Sequence, residues 1–364
     1  MKVLINSLRL YMLLFKRFCT PKSQHFEKYA TPANVFNRLP KDAVIVLQEQ
    51  AWSLSFSDGI TTGWGDNLDK NTSYYPKCSF NYIDQEKLVV EQEIMRMGLD
   101  RCAPNIYGSK DRVLTLSMNY AYQRNYFHWL FDVLPRIYIA ESAGHVFDQV
   151  YACTEKQFQR DSLEILGFTE QDCIAMQEHS IVQAKTLIVT SVPNAFRDMP
   201  EWVVSFLRQR LKPALLASNS QIDMQSRKLF VSREDAVRRK ALNEIELEEY
   251  LINKGFIKVI PSLLSIKQQA YLFANADFVV GTHGAALANL VFCEPGTKVL
   301  EIVAPKFQWK LFSKLASQVQ LEYRMVAANS SQVAGDEFEK FENQHTDFVI
   351  DFNHISADLD WVAG

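Results

Sequence analysis

The feature that most restricts the fold is an alternation of short apolar runs with helical stretches, from about residue 149 to residue 302. Gln149–Ala152, Thr186–Val189, Lys228–Val231, Lys258–Ile260, Asp277–Val280 and Lys298–Ile302 have the length and apolar character of strands. Between them, Gln157–Leu166, Pro200–Leu216, Asn243–Lys254, Ile266–Ala274 and Ala285–Phe292 carry helical spacing. Pro200 stands near the first turn of one helix, and Gly255 stops another. Strands without polar alternation are buried on both faces, so the expected class is α/β, with parallel sheets covered by helices on both sides. Upstream, Ala43–Leu47 and Leu114–Met118 read as further strands and Asn125–Ala140 as a helix. Ser57–Ser73, rich in Gly, Asp, Asn and Thr, reads as loop.

A chain of 364 residues, 48% of them apolar, can bury two cores of ordinary size. The polar stretch Leu215–Ser226 is the expected domain boundary. The predicted organisation is an N-terminal amphipathic helix and connection (1–40), a first α/β domain (41–215), a second α/β domain (216–335) and a tail (336–364) packing back on the first domain. With 39 basic and 42 acidic side chains the formal charge is −3, which argues against a nucleic-acid binder. The six cysteines are scattered without a C-x-x-C pair and read as core thiols. Near the start, Lys2, Arg9 and Lys16 line one helical stripe, with Leu4, Leu8, Tyr11 and Phe15 opposite. No run reaches the roughly 20 apolar residues of a spanning helix. Residues 1–18 therefore lie either on an anionic membrane surface or against the protein's own body.

Three segments carry chemistry. FVVGTHGAALANLVF places a Gly281-Thr282-His283-Gly284 turn between a buried strand and a helix of small residues. The amides of Gly284, Ala285 and Ala286 then stand at a helix's positive end, ready for phosphate oxygens, with His283 as a further donor and Asn289 further along the helix. The alternative is a tight corner whose glycines serve packing. LFVSREDAVRRKALNE sets Arg233, Arg238, Arg239 and Lys240 directly after a strand, facing the same crevice or solvated with Glu234 and Asp235. In NYFHWLFDVLPRI, His128 and Asp132 share a helix face among aromatic residues, with Pro135 where the helix ends or kinks. Such a pair either takes a proton from a hydroxyl or locks the helix.

Together, and in this order, NYFHWLFDVLPR, LFVSREDAVRRKALNE and GTHGAALANLVFCEPGTKVLEI resemble glycosyltransferase family 61 over roughly residues 110 to 305. The resemblance implies a GT-B fold, two Rossmann-like domains facing a central cleft, and inverting sugar transfer from a nucleotide-sugar to a hydroxyl without a metal or other cofactor. By position it implies Asp132 as the base, with His128 orienting it or holding the acceptor. It also implies Arg233 with Arg238 or Arg239 on the phosphates, and His283, Gly284, Ala285, Ala286 and Asn289 beneath the nucleotide. Ala286 and Ala288 stand where many relatives have Gly and Thr. The first hundred residues match no pattern of the family, and acceptor recognition is expected there. Trp52 and Trp64 either stack on sugar rings or fill core.

The expected partners are a nucleotide-sugar, most simply UDP-xylose or UDP-GlcNAc, and a glycan or lipid-linked glycan acceptor of polysaccharide or capsule biosynthesis. The expected site is the cytoplasm or the inner membrane face, or the Golgi or ER lumen if this sequence is part of a longer chain. Asp358-Leu359-Asp360 has the D-x-D form of a metal-holding string but no strand before it, and reads as chance. A sugar-nucleotide epimerase would need a nicotinamide fingerprint, which is absent. A non-catalytic nucleotide-sugar or glycan-binding partner of an assembly complex is the remaining alternative.

Overall fold

A computed structural model describes residues 44–46, 51–62, 67–68, 105–118, 123–177, 180–193, 199–217, 224–305, 310–330 and 346–363. The expected helix at 1–18, the connection to residue 40 and Trp64 lie outside the described residues, and Trp52 is described in its backbone alone. The chain divides into two compact units, Met1–Phe196 and Arg197–Gly364. Among the described residues no helix is long and apolar enough to cross a membrane.

In the first unit the strands are β1 (Val44–Val46), β2 (Ala51–Thr62), β3 (Asn67–Leu68), β4 (Asn105–Thr115), β5 (Gln149–Ala152), β6 (Cys173–Ala175) and β7 (Ser180–Thr190). They form one sheet of order β1-β2-β7-β4-β5-β6, with β3 beside β2. The part built from β7, β4, β5 and β6 is parallel, as expected. Its β2 side is antiparallel, so the sheet is mixed. Much of the predicted loop at 57–73 is strand: β2 pairs with β7 from Ser53↔Thr190 to Thr62↔Ile181, and this long ladder outweighs the turn propensity of Asp58 and Gly59. Val113, Leu114, Val150, Tyr151, Leu187 and Ile188 are buried in succession, as strands covered on both faces must be. Helix α1 (126–142) and helix α2 (Gln157–Ile165) follow β4 and β5.

The second unit opens with helix α3 (201–217), which packs on the helices of that unit. The division therefore falls before this helix, whereas the sequence placed it in the first domain. Strands β8 (Lys228–Val231), β9 (Ile257–Val259), β10 (Phe278–Thr282), β11 (Lys298–Val303) and β12 (Glu322–Ala327) form an entirely parallel sheet of order β12-β11-β10-β8-β9. Helices α4 (Glu244–Asn253), α5 (Ile266–Ala274), α6 (Leu311–Val319) and α7 (Phe352–Ala363), with the 3₁₀ helix Ala285–Phe292, cover it. Phe230, Val280, Leu300 and Ile302 on one face meet Leu247 and Leu251 of α4 and Ile355, Leu359 and Val362 of α7. The C-terminal helix thus packs on the second unit's own sheet, where the sequence expected the tail on the first domain, because its apolar stripe completes this core. Asp358 and Asp360 lie on α7, bonded to Arg324 and Tyr250.

Candidate active site

Helix α1 owes its shape to a proline. Pro135 has no N–H, and in a regular helix its ring would strike the carbonyl of Phe131. The turn before it widens instead: Trp129–Val133 is a π-helical turn, and Leu134 N donates to Trp129 O at 3.0 Å. The helix continues through Pro135–Ser142 rather than ending. Asn125 caps its start, accepting from the amides of Phe127 (2.9 Å) and His128 (3.4 Å). Trp129 Nε1 donates to Ser162 Oγ at 2.8 Å, and Phe127 stacks on Phe131 with ring centroids 4.8 Å apart. Buried Arg136, one residue beyond the proline, donates to Thr190 Oγ1 and to Ser117 O, each at 2.9 Å.

On this frame His128 Nδ1 and Asp132 Oδ2 stand 2.6 Å apart. With the carboxylate ionised, Nδ1 carries the hydrogen and donates. Asp132 is only 3% exposed, while His128 reaches the surface. The second carboxylate oxygen, Oδ1, is buried and meets no hydrogen-bond partner among the described residues. A buried acceptor left unsatisfied costs about 1–3 kcal/mol, so its retention calls for an explanation.

In the second unit the chain leaves β8 toward β9 on one side and β10 toward β11 on the other. Loops that part in this way open a crevice at the strands' carboxyl ends, the place where parallel sheets bind ligands. The loop after β8 carries Arg233, Arg238 and Arg239; the turn after β10 carries His283 and Gly284. Arg233 joins the two loops, its Nη1 donating to His283 O and its Nη2 to Arg238 O at 3.0 Å. A Cβ at Gly284 would lie 1.8 Å from Arg233 Nη1 and 2.7 Å from its Cζ. Gly284 is extended (φ −177°), so backbone strain does not favour glycine there; a side chain would instead displace the Arg233 guanidinium. Burial, with Arg239 nearby, lowers the Arg233 pKa to about 10.

Arg239 has φ +58°, an uncommon conformation for a residue with a side chain, and its Nε is buried without a partner among the described residues. Burial, followed by the charge of Arg238, lowers its pKa. Arg238 itself is exposed. His283 is buried, and Nδ1 faces Glu301 Oε1 on β11. Ala285 and Ala286 are half-buried at the start of the 3₁₀ helix. Asn289 is fully buried: its amide donates to Gln269 Oε1 (2.8 Å) and Ala286 O (3.0 Å), tying the 3₁₀ helix to α5.

The structure thus brings Arg233, Arg239, His283 and Gly284 into one crevice, and His128 with Asp132 onto one helix turn. Sequence reasoning passed over Glu301, although a lone carboxylate within the apolar strand KVLEIV was the signal. It also passed over the π turn, for which Pro135 inside an unbroken apolar helix was the signal.

Comparison with known proteins agrees with this grouping of motifs. Residues 126–300 match the family described as Glycosyltransferase 61. A beta-1,2-xylosyltransferase of Arabidopsis thaliana is 31% identical over 146 residues, covering 34% of this chain and 27% of that protein. A beta-1,2-xylosyltransferase of Oryza sativa subsp. japonica is 32% identical over 115 residues, covering 27% of this chain and 22% of that protein. The matches therefore span about a quarter of the relatives' length.

Proposed function

Taking as premise that residues 126–300 belong to glycosyltransferase family 61, we propose that this chain is an inverting glycosyltransferase that moves a sugar from a nucleotide-sugar to a glycan hydroxyl. The first unit supplies the base and the second holds the donor, the division of labour of a GT-B enzyme. Asp132 takes the proton of the acceptor hydroxyl, and His128 holds the carboxylate's heading through its other oxygen. The acceptor oxygen attacks the anomeric carbon as the bond to the diphosphate breaks, in a single displacement. Arg233 and Arg239 offer positive charge to the departing diphosphate and His283 a hydrogen-bond donor, the part a divalent cation plays in other transferases. The proposed donor is a UDP-sugar, either UDP-xylose, in keeping with the names of the two plant relatives, or UDP-GlcNAc.

The observation that carries this reading is Oδ1 of Asp132, a buried acceptor without a partner among the described residues, beside an oxygen engaged by His128. A carboxylate serving only to lock the helix would have both oxygens satisfied. Asp132→Asn keeps the shape and removes the basicity. Sugar transfer should fall by about 10²–10⁴-fold, while the rise in melting temperature given by nucleotide stays within a few-fold in apparent affinity. Near-normal turnover in this variant would overturn the assignment. Nucleotide binding without transfer to any glycan in the unmodified protein would favour a binding partner over an enzyme.

A further inference from the structure

Glu301 is the least exposed charged group of the crevice, at 1%. Its two oxygens are both engaged: Oε1 faces His283 Nδ1, and Oε2 accepts from the Tyr323 hydroxyl on β12. Burial, then the neighbouring carboxylate, drives the Tyr323 pKa upward, which keeps that hydroxyl protonated as a donor. Strand register explains the arrangement: Gly281 lies beside Glu301, and Met325 flanks it on the other side, so Glu301 points under the turn that carries His283. A buried carboxylate is costly unless its charge is used.

The charges that act on His283 are Glu301 from β11 and Arg239 and Arg233 from the loop after β8. Helix α6 meets the ring with Phe312, at a centroid distance of 5.2 Å. The 3₁₀ helix Ala285–Phe292 has no titratable side chain. Burial holds the imidazole neutral against the pull of Glu301, and the two guanidiniums work in the same direction as burial. An arriving diphosphate reverses the influence of those guanidiniums, because its negative charge offsets theirs at the ring.

We propose that His283 and Glu301 form a proton-accepting pair: binding of a nucleoside diphosphate draws a proton from solvent onto His283, and Glu301 is the positioning residue that fixes the ring and makes its protonated form accessible. This rests on the donor-site reading above and deepens it. The site then meets the diphosphate with one more positive charge than it carries when empty. That charge is in place before the sugar–phosphate bond breaks.

The test is calorimetric titration of the full chain with UDP in buffers of different ionisation enthalpy, which counts protons taken up, repeated from pH 8 to pH 7, where the terminal phosphate of UDP is largely ionised. The expected result is uptake of a substantial fraction of a proton, with affinity rising by up to about tenfold per pH unit toward acid. Glu301→Gln, which keeps the side chain's size, should still bind UDP but lose the uptake and flatten the pH dependence. Tyr323→Phe leaves the carboxylate in place, so it should retain uptake and serves as the control should Glu301→Gln fold poorly. UDP binding without uptake, or uptake unchanged in Glu301→Gln, overturns this proposal and leaves the donor site standing. Absence of binding by UDP, GDP and CMP alike overturns the donor-site reading itself, and this proposal with it.

Discussion

Adding one methyl group at Gly284 should act entirely through Arg233. The added Cβ would fall against Nη1, Cζ and Cδ of that side chain, so the guanidinium, the mobile end of a flexible side chain, must move off its present partners. Leaving breaks the bonds from Nη1 to His283 O and from Nη2 to Arg238 O. Hydrogen bonds from a charged donor contribute about 1.5–3 kcal/mol each. For a partly solvated guanidinium the lower figure applies, giving about 3 kcal/mol for the two. In a unit of this size that corresponds to a fall in melting temperature of roughly 6–12 °C. The decisive assay is a double-mutant cycle of Gly284→Ala and Arg233→Ala, followed by thermal melting with and without nucleotide. If the methyl group acts by evicting Arg233, the double variant melts with Arg233→Ala alone, and the coupling energy is close to the whole cost of Gly284→Ala. Additivity within about 0.5 kcal/mol would refute the reasoning, and so would a Gly284→Ala protein that melts like the unmodified one.

Other outcomes follow from the same geometry. Asn289→Ala orphans Gln269 Oε1 in the core, so the nucleotide-free protein should lose about 1–3 kcal/mol; an unchanged melting temperature would show that Asn289 is not a structural tie. His283 is buried with its pKa lowered, so below about pH 6.5 the unfolded chain binds a proton there that the folded chain refuses. Its contribution to stability therefore falls as pH drops from about 6.5 toward its folded value and is constant above. Urea midpoints of His283→Gln should decline less steeply between pH 7 and pH 5 than those of the parent, and an equal or steeper decline would contradict this.

What could be read from sequence depended on whether local pattern and long-range pairing agreed. Gln149–Ala152, Lys228–Val231 and Ile266–Ala274 fall where their patterns place them, because the two strands are short apolar runs buried on both faces and the helix is apolar at helical spacing. Strand β2 does not, since Ser57, Asp58 and Gly59 look like a turn until β7 lies beside them. The π turn at Trp129–Val133 was legible only as a kink at Pro135, because one widened turn hardly shifts the helical period. At the crevice, Arg233, His283 and Gly284 were legible from a strand–glycine–helix turn and a basic loop following a strand. Asn289 lay within the same motif, and only its burial and its bond to Gln269 reveal what its amide does. Glu301 was hidden by the apolar strand around it.

The widened turn of α1 recurs in α3, where Leu207–Leu211 is π-helical, Lys212 N bonds back to Leu207 O, and Pro213 follows. There too a pair four residues apart converges on one place. Arg208 donates to Val291 O (2.8 Å) and Cys293 O (2.6 Å), and Lys212 binds Glu294 at 2.6 Å. In both helices a missing main-chain hydrogen sets the turn from which the pair is aimed, before any side-chain contact holds it. Aim set in this way is inherited through the covalent chain. Neighbouring apolar residues such as Leu130, Val133 and Leu134 can then drift in identity, provided they fill the same volume, while the carboxylate of Asp132 keeps its bearing.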